Sequence, residues 1–96
     1  MSAYSRTLYS PEGQLIAAVE EVPGENREIH RTWSTSGVMT LEAHVVNGEY
    51  EGPYKSWWDN GTLKEEGTFR EGKRIGKYRW YSESGVLIQE FDHGNL

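Results

Sequence analysis

The sequence predicts an all-β fold: an antiparallel meander of about eight strands, built from four 24-residue β-hairpin repeats in a single curved or open-ended layer. Three observations predict it. Glycines recur at a period of 24 residues, apolar residues keep fixed distances from them, and turn sequences leave runs too short for helices. Because 96 residues is the length of one small domain, we expect a single repeat domain over residues 1–96.

A glycine marks each repeat. These marker glycines are 24 residues apart: Gly13, Gly37, Gly61 and Gly85. Four positions before each marker stands an aromatic residue: Tyr9, Trp33, Trp57 and Tyr81. Two positions after each marker stands a long aliphatic residue: Leu15, Met39, Leu63 and Leu87. The period sets units at approximately 9–32, 33–56, 57–80 and 81–96, with residues 1–8 as an N-terminal edge strand.

Two kinds of turn divide each unit. The segments 10–13, 34–37, 59–61 and 82–85 end in a glycine that can adopt the positive φ of a hairpin loop. Asn47-Gly48 and Glu71-Gly72 are turn sequences for the opposite ends of the hairpins. Residues 63–70 between them alternate with the period of two that characterises a strand.

The aromatic series recurs at one phase of the repeat, which favours packing over ligand binding. One hairpin cannot bury its own apolar face, whereas stacked hairpins share a continuous row of side chains. We therefore expect the series from Tyr9 to Tyr81 to form the core.

Charge is distributed unevenly along the chain. The net charge is −5, which disfavours nucleic acid and direct membrane binding. Residues 20–51 carry seven acidic and two basic residues, whereas bases dominate residues 70–79. Three glutamates recur at one phase, and we expect them to pair across strands with Lys55, Lys64 or Arg79; they are Glu42, Glu66 and Glu90.

No catalytic or metal-binding motif is present in the sequence. The chain has no cysteine, and its three histidines, His30, His44 and His93, do not share a phase or a ligand spacing. No glycine-rich loop precedes a helix with a Lys-Ser/Thr pair, so a phosphate cradle is excluded. We expect no enzyme activity, no cofactor and no metal site.

The combined pattern resembles the MORN-repeat variant family. The residues that carry the resemblance are Trp57, Asp59, Asn60, Gly61, Leu63, Glu66, Gly72, Gly76 and Tyr78. The similarity is strong from about residue 47 to residue 94 and weaker before it, where Glu28 replaces a glycine and Ala18 a glutamate. The resemblance implies a sheet of hairpin repeats without catalytic residues. For small bacterial stand-alone members, it also implies an antitoxin or immunity role.

Candidate binding residues lie where the sequence departs from the repeat. Trp58 occupies a position that is serine in the other units, and an additional tryptophan there suggests an interface anchor. An acidic surface suits the capture of a basic protein, because charge steers the encounter. The predicted partner-binding residues are Glu20, Glu21, Glu25, Glu28, Glu49, Glu51 and Trp58.

Two functional hypotheses follow. The first is a non-enzymatic antitoxin or immunity protein that neutralises a basic bacterial toxin, such as a nuclease, by direct binding. The alternative is an interaction scaffold that self-associates through its open sheet edges or docks a protein at a membrane-associated assembly. The start of the sequence has no apolar run, which favours a cytoplasmic location.

Overall fold

The fold is one antiparallel sheet, as the sequence predicts. The computed structural model describes residues 4–95, and this range contains strands and turns but no helix. The eight strands are β1 (Arg6–Tyr9), β2 (Leu15–Glu21), β3 (Arg27–Trp33), β4 (Met39–Val46), β5 (Glu49–Trp57), β6 (Leu63–Arg70), β7 (Lys73–Tyr81) and β8 (Leu87–Asp92). They lie in the sheet in chain order, so each strand pairs with its neighbours in sequence.

The sheet is open at both edges. With a spacing of about 4.8 Å between strands, β1 and β8 are about 34 Å apart. This width agrees with the Cα extents of 39 × 36 × 18 Å. Within residues 4–95, both edge strands therefore have one side without a hydrogen-bonded neighbouring strand.

Two hairpin geometries alternate along the chain. Each marker glycine has a φ near 90°, and its N–H donates to the carbonyl three residues earlier, as from Gly37 to Ser34 at 3.0 Å. The opposite ends of β4–β5 and β6–β7 are two-residue turns, in which Asn47 and Glu71 have φ of 52° and 51°. This is the geometry whose twist matches that of the paired strands.

The aromatic and aliphatic series are cross-strand partners. The four pairs are Tyr9 with Leu15, Trp33 with Met39, Trp57 with Leu63, and Tyr81 with Leu87. In all four hairpins the pairing register shifts immediately before the aromatic residue. Each unit thus closes with the same turn, pair and bulge, which fixes the strand register.

The aromatic series does not form the core, and this expectation was wrong. Tyr9 is 55% exposed, and the other three members are half-buried. The buried apolar residues are Ala18, Ala43, Val45, Phe69 and Tyr78. The physical reason is position: the series closes the ends of the hairpins, where a single-layer sheet has no second layer to cover it.

The core instead forms around Tyr54 and Tyr78, which occupy a different position of the 24-residue repeat. The Tyr78 ring lies against Gly67, so closely that a Cβ added to that glycine would be 2.1 Å from a ring carbon. Tyr54 pairs with Ala43, which is completely buried. Phe69 packs between the two tyrosines, with ring centroids 5.4 Å from Tyr54 and 6.0 Å from Tyr78.

A carboxylate beneath these rings satisfies the buried hydroxyl groups. Glu65 accepts hydrogen bonds from Ser56 Oγ at 3.0 Å and from Tyr78 Oη at 3.1 Å. Burial, together with the charge and hydrogen bond of Glu65, raises the pKa of Tyr78. Burial likewise raises the pKa of Tyr54.

A row of alternating charge crosses the sheet. Each member is the cross-strand partner of the next. We call this series the charge row: Arg31, Glu42, Lys55, Glu66, Arg79 and Glu90. Glu42 lies 2.9 Å from Arg31, and Glu90 lies 2.6 Å from Arg79. The predicted pairing is confirmed for Arg79, which forms an ion pair with Glu90. Lys55 is the cross-strand partner of Glu42 and Glu66, but within residues 4–95 it forms no ion pair with either. Lys64 lies over the Trp58 ring.

We predict that Gly67→Ala destabilises the protein by about 3 kcal/mol, because the methyl group overlaps the Tyr78 ring. Urea unfolding monitored by tryptophan fluorescence measures the change. Thr68→Ala, at the exposed neighbouring position, is the control and should change stability by less than about 0.5 kcal/mol. Equal stability of the two variants would contradict the packing of Tyr78 on Gly67.

Lys55→Glu should destabilise the sheet by about 1 kcal/mol at low salt, because it places three carboxylates side by side in the charge row. Thermal unfolding at low and high salt measures the effect, which should shrink as salt screens the repulsion. Lys73→Glu makes the same charge change opposite Arg70 and should not destabilise. A loss that is independent of salt would argue against repulsion.

Alkaline pH should weaken the fold. Because the folded-state pKa of Tyr78 is raised, its contribution is fully present below the unfolded-state pKa of about 10 and is lost as pH rises towards the folded-state pKa. Urea midpoints between about pH 8 and 11 measure this decline. Tyr78→Phe should flatten the decline, whereas Tyr9→Phe, at an exposed position, should not.

Candidate functional site

Acidic side chains gather at one end of the sheet, where the β2–β3, β4–β5 and β6–β7 turns lie. We call this group the acidic rim: Glu21, Glu25, Glu49, Glu51 and Glu71. Glu49, Glu51 and Glu71 line one groove with Val46 and Asn47. The groove is held by a hydrogen bond of 2.9 Å from the Glu71 N–H to Glu51 Oε1. The β4–β5 and β6–β7 ends of the sheet thus bring three acidic residues to one groove, where the Glu51 carboxylate is engaged by the Glu71 N–H.

Positive charge does not compensate most of this rim. Arg27 Nε lies 3.4 Å from Glu25, whereas Glu21 and Glu49 are in no ion pair within the described part of the chain. Glu21 is also the direct cross-strand partner of Glu28, an arrangement of like charges that destabilises a sheet. The rim therefore concentrates negative potential on exposed turns.

Two of the predicted binding residues, Glu20 and Glu28, form ion pairs with side chains on other strands. Glu20 lies 2.7 Å from Arg31 Nη1. Glu28 binds His30 Nε2 at 3.0 Å and Arg6 Nη2 at 3.1 Å. The hydrogen bond with His30 is the largest cause of the lowered pKa of Glu28, and Arg6 adds to it. Glu20 and Glu28 thus hold strands together as well as adding negative charge.

Trp58 lies at the other end of the sheet from the acidic rim. Strand β5 separates Glu49 from Trp57, a distance of about 27 Å along an extended strand. The half-buried Trp58 ring donates from Nε1 to the Tyr81 carbonyl at 3.0 Å, and Lys64 Nζ lies 4.6 Å from its centroid. The two parts of the predicted binding surface are therefore not adjacent.

The neighbouring residues explain how the repeat accommodates Trp58. In all three other units the serine at this position accepts a hydrogen bond from the backbone N–H four residues later. The distances are 3.1 Å for Ser10, 3.2 Å for Ser34 and 3.1 Å for Ser82. Tryptophan cannot accept this bond. Asn60 Oδ1 accepts from the Thr62 N–H at 2.9 Å instead.

A basic patch adjoins the acidic rim at the β6–β7 turn. Its exposed members are Arg70, Lys73, Arg74 and Lys77. Arg74 stacks 4.4 Å from the centroid of Tyr78, where it covers the edge of the aromatic core. The same end of the sheet therefore presents mainly acidic charge at the β2–β3 and β4–β5 turns, and basic residues on both sides of Glu71 at the β6–β7 turn.

The histidines lie in separate environments. His30 contacts Glu28, His44 Nδ1 lies 3.1 Å from Arg27 Nη1, and His93 packs 4.5 Å from Phe91. Burial, followed by the charge of Arg27, lowers the pKa of His44. The His30–Glu28 pair could orient a base, but the groove that Glu28 lines does not include His30. Within residues 4–95 no group of three or more potential ligands could hold a metal.

Glu71 was missed in the sequence. In the chain it lies between Arg70 and Lys73, and this local context indicates a basic segment. The sequence does contain one indication of its position. Glu71 occupies the same repeat position as Asn47, and this equivalence places the turn at Glu71 beside the turn at Asn47. The structure brings Glu71 to Glu51 across that junction.

Comparison with protein families identifies repeats in the second half of the chain. Residues 50–71 and 74–95 match the MORN repeat variant, and these segments cover the β5–β6 and β7–β8 hairpins. No curated protein and no solved structure matches the chain. Within the described residues no helix has the length and hydrophobicity to cross a membrane. The MORN repeat is a non-enzymatic module that suggests a protein-interaction scaffold.

Proposed function

We propose that the protein is a non-enzymatic binding module that holds a basic protein partner through the acidic rim. The observation that carries this proposal is the gathering of the five glutamates of the acidic rim at one end of the sheet, three of them in one groove. Exposed carboxylates on adjacent turns accelerate encounter with a basic surface and select against acidic ones. The MORN repeat matches support the general class of an interaction module.

In its finer form, the proposal is that the partner is a bacterial toxin and that this protein is its antitoxin or immunity protein, acting in the cytoplasm. A nuclease toxin suits the rim, because a surface that binds nucleic acid phosphates is basic. Carboxylates presented on rigid hairpin turns can occupy such a surface and block access to it. This form predicts neutralisation by binding, without chemical change of the toxin.

Neutralising the rim should weaken binding to the partner. We expect the triple variant Glu21→Gln, Glu25→Gln and Glu49→Gln to lose roughly ten-fold in affinity, mainly through slower association. The experiment captures the partner with the 96-residue chain at low and moderate salt and measures association kinetics of the purified pair. For the antitoxin form, co-expression should relieve the toxicity of the partner.

A matched variant at the other end of the sheet controls for net charge. Glu12→Gln, Asp59→Asn and Glu83→Gln remove the same charge from exposed turns and should leave affinity nearly unchanged. Equal losses in both triple variants would contradict a specific role for the rim. Trp58→Ala tests separately whether the partner also reaches the opposite end.

Self-association is the second candidate function, and the basic patch favours it. Arg70, Lys73 and Arg74 lie at the same end of the sheet as the acidic rim and carry opposite charge, so two copies could pair these surfaces. Sedimentation velocity at low and high salt measures this. A salt-sensitive oligomer without a basic partner would favour the scaffold.

A further inference from the structure

The C-terminal edge of the sheet has the features of a strand-binding site. All six residues of β8 are exposed, and Leu87, Ile88 and Phe91 are 48%, 65% and 54% exposed. Natural edge strands usually carry lysine or proline, or are shortened, to prevent pairing with other chains. The sequence of β8 contains neither lysine nor proline.

The charge row specifies what such a strand should carry. Within the sheet, Glu42 and Glu66 each have a basic cross-strand partner on both sides. Glu90 has Arg79 on one side and the open edge on the other. A strand that continues the row would place a lysine or arginine opposite Glu90.

Phe91 adds a size requirement at the neighbouring position. It occupies the repeat position of Ala43 and Gly67, which are small and have Tyr54 and Tyr78 packed on or beside them. Phe91 is itself large and contacts His93 at 4.5 Å. An added strand therefore needs a small side chain opposite Phe91, rather than another tyrosine.

A second copy of this chain meets these requirements poorly. If β1 of a second copy continued the 24-residue repeat, it would place Thr7 opposite Glu90 and Arg6 opposite Phe91. The basic residue would therefore lie opposite Phe91 and not opposite Glu90. A second β8 would instead add the carboxylates of its own Glu90 and Asp92 to an acidic edge. Charge complementarity thus favours a different, basic chain.

We propose that β8 binds an extended segment of a basic protein by antiparallel strand addition, with lysine or arginine opposite Glu90 and a small residue opposite Phe91. Backbone hydrogen bonds would supply affinity and the two side-chain positions would supply selectivity. The identity of the partner as a basic protein rests on the proposed function, but strand addition is testable without that partner.

The probe is the acetylated and amidated peptide TTSKVTV, whose serine and lysine meet Phe91 and Glu90 in this register. Heteronuclear NMR titration of the 96-residue chain with this peptide measures the dissociation constant and locates the perturbed amides. We expect shifts concentrated in β8 and slower hydrogen exchange of its outward-facing amides. Binding at β1 or on a sheet face, or no binding, would overturn the proposal.

Charge exchange tests the specific contact. Glu90→Gln should weaken TTSKVTV about three- to five-fold, and Glu90→Lys should reverse the preference to TTSEVTV. Glu83→Lys changes net charge equally in the adjacent turn and should keep the original preference. A TTSKVTV peptide methylated on alternate amide nitrogens should not bind; if it binds equally well, charge attraction rather than strand addition is responsible.

Two further measurements separate the possible failures. The rim variant with Glu21, Glu25 and Glu49 changed to Gln should bind TTSKVTV as the unmodified protein does. Loss of peptide binding while the rim still captures a basic partner would overturn strand addition alone. Sedimentation velocity at the NMR concentration should give a monomer, and a dimer that protects β8 would assign this edge to a second copy.

Discussion

A sheet of one layer has no second layer to exclude water, so long side chains must lie across short residues on neighbouring strands. The Tyr78 ring lies against Gly67 in this way, and Phe69 and Tyr54 extend the contact. This arrangement buries the Tyr78 hydroxyl, whose desolvation is offset by its hydrogen bond to Glu65. The core thus depends on the absence of a side chain at one position as much as on the aromatic rings.

The charge row depends on the same register. In a strand, adjacent residues face opposite sides, so Arg79 follows Tyr78 on the other face of the sheet. A slip of one residue would move tyrosines to the charged face and bases into the aromatic cluster. The bulges and closing pairs of each hairpin prevent this slip. Side chains on both faces therefore contact one another and stabilise the sheet. The turns and the edge strands are the surfaces that remain for binding a partner.

The sequence predicts the fold in detail because its period is read directly from glycines with a defined geometric role. It also identifies Trp57 and Leu63 as parts of two series, although their pairing is visible only in the structure. The core was misplaced because burial in one layer depends on what lies across the neighbouring strand, and Gly67 gives no hydrophobic signal. The hydrogen bond from the Glu71 N–H to Glu51 was missed for a similar reason, because it joins two different hairpins. Local composition does not report such contacts.

The irregular first unit has a structural role that explains the difference between the two edges. Gly52 and Gly76 have positive φ and accompany register shifts in β4–β5 and β6–β7. Glu28 replaces this glycine in the first unit, and the β2–β3 pairing is correspondingly regular. The carboxylate of Glu28 reaches across β2 to Arg6, so a side-chain contact ties the N-terminal edge strand to β3. The first unit thus has a side-chain contact where the later units have a backbone irregularity, whereas β8 keeps the acidic member of the charge row at an open edge.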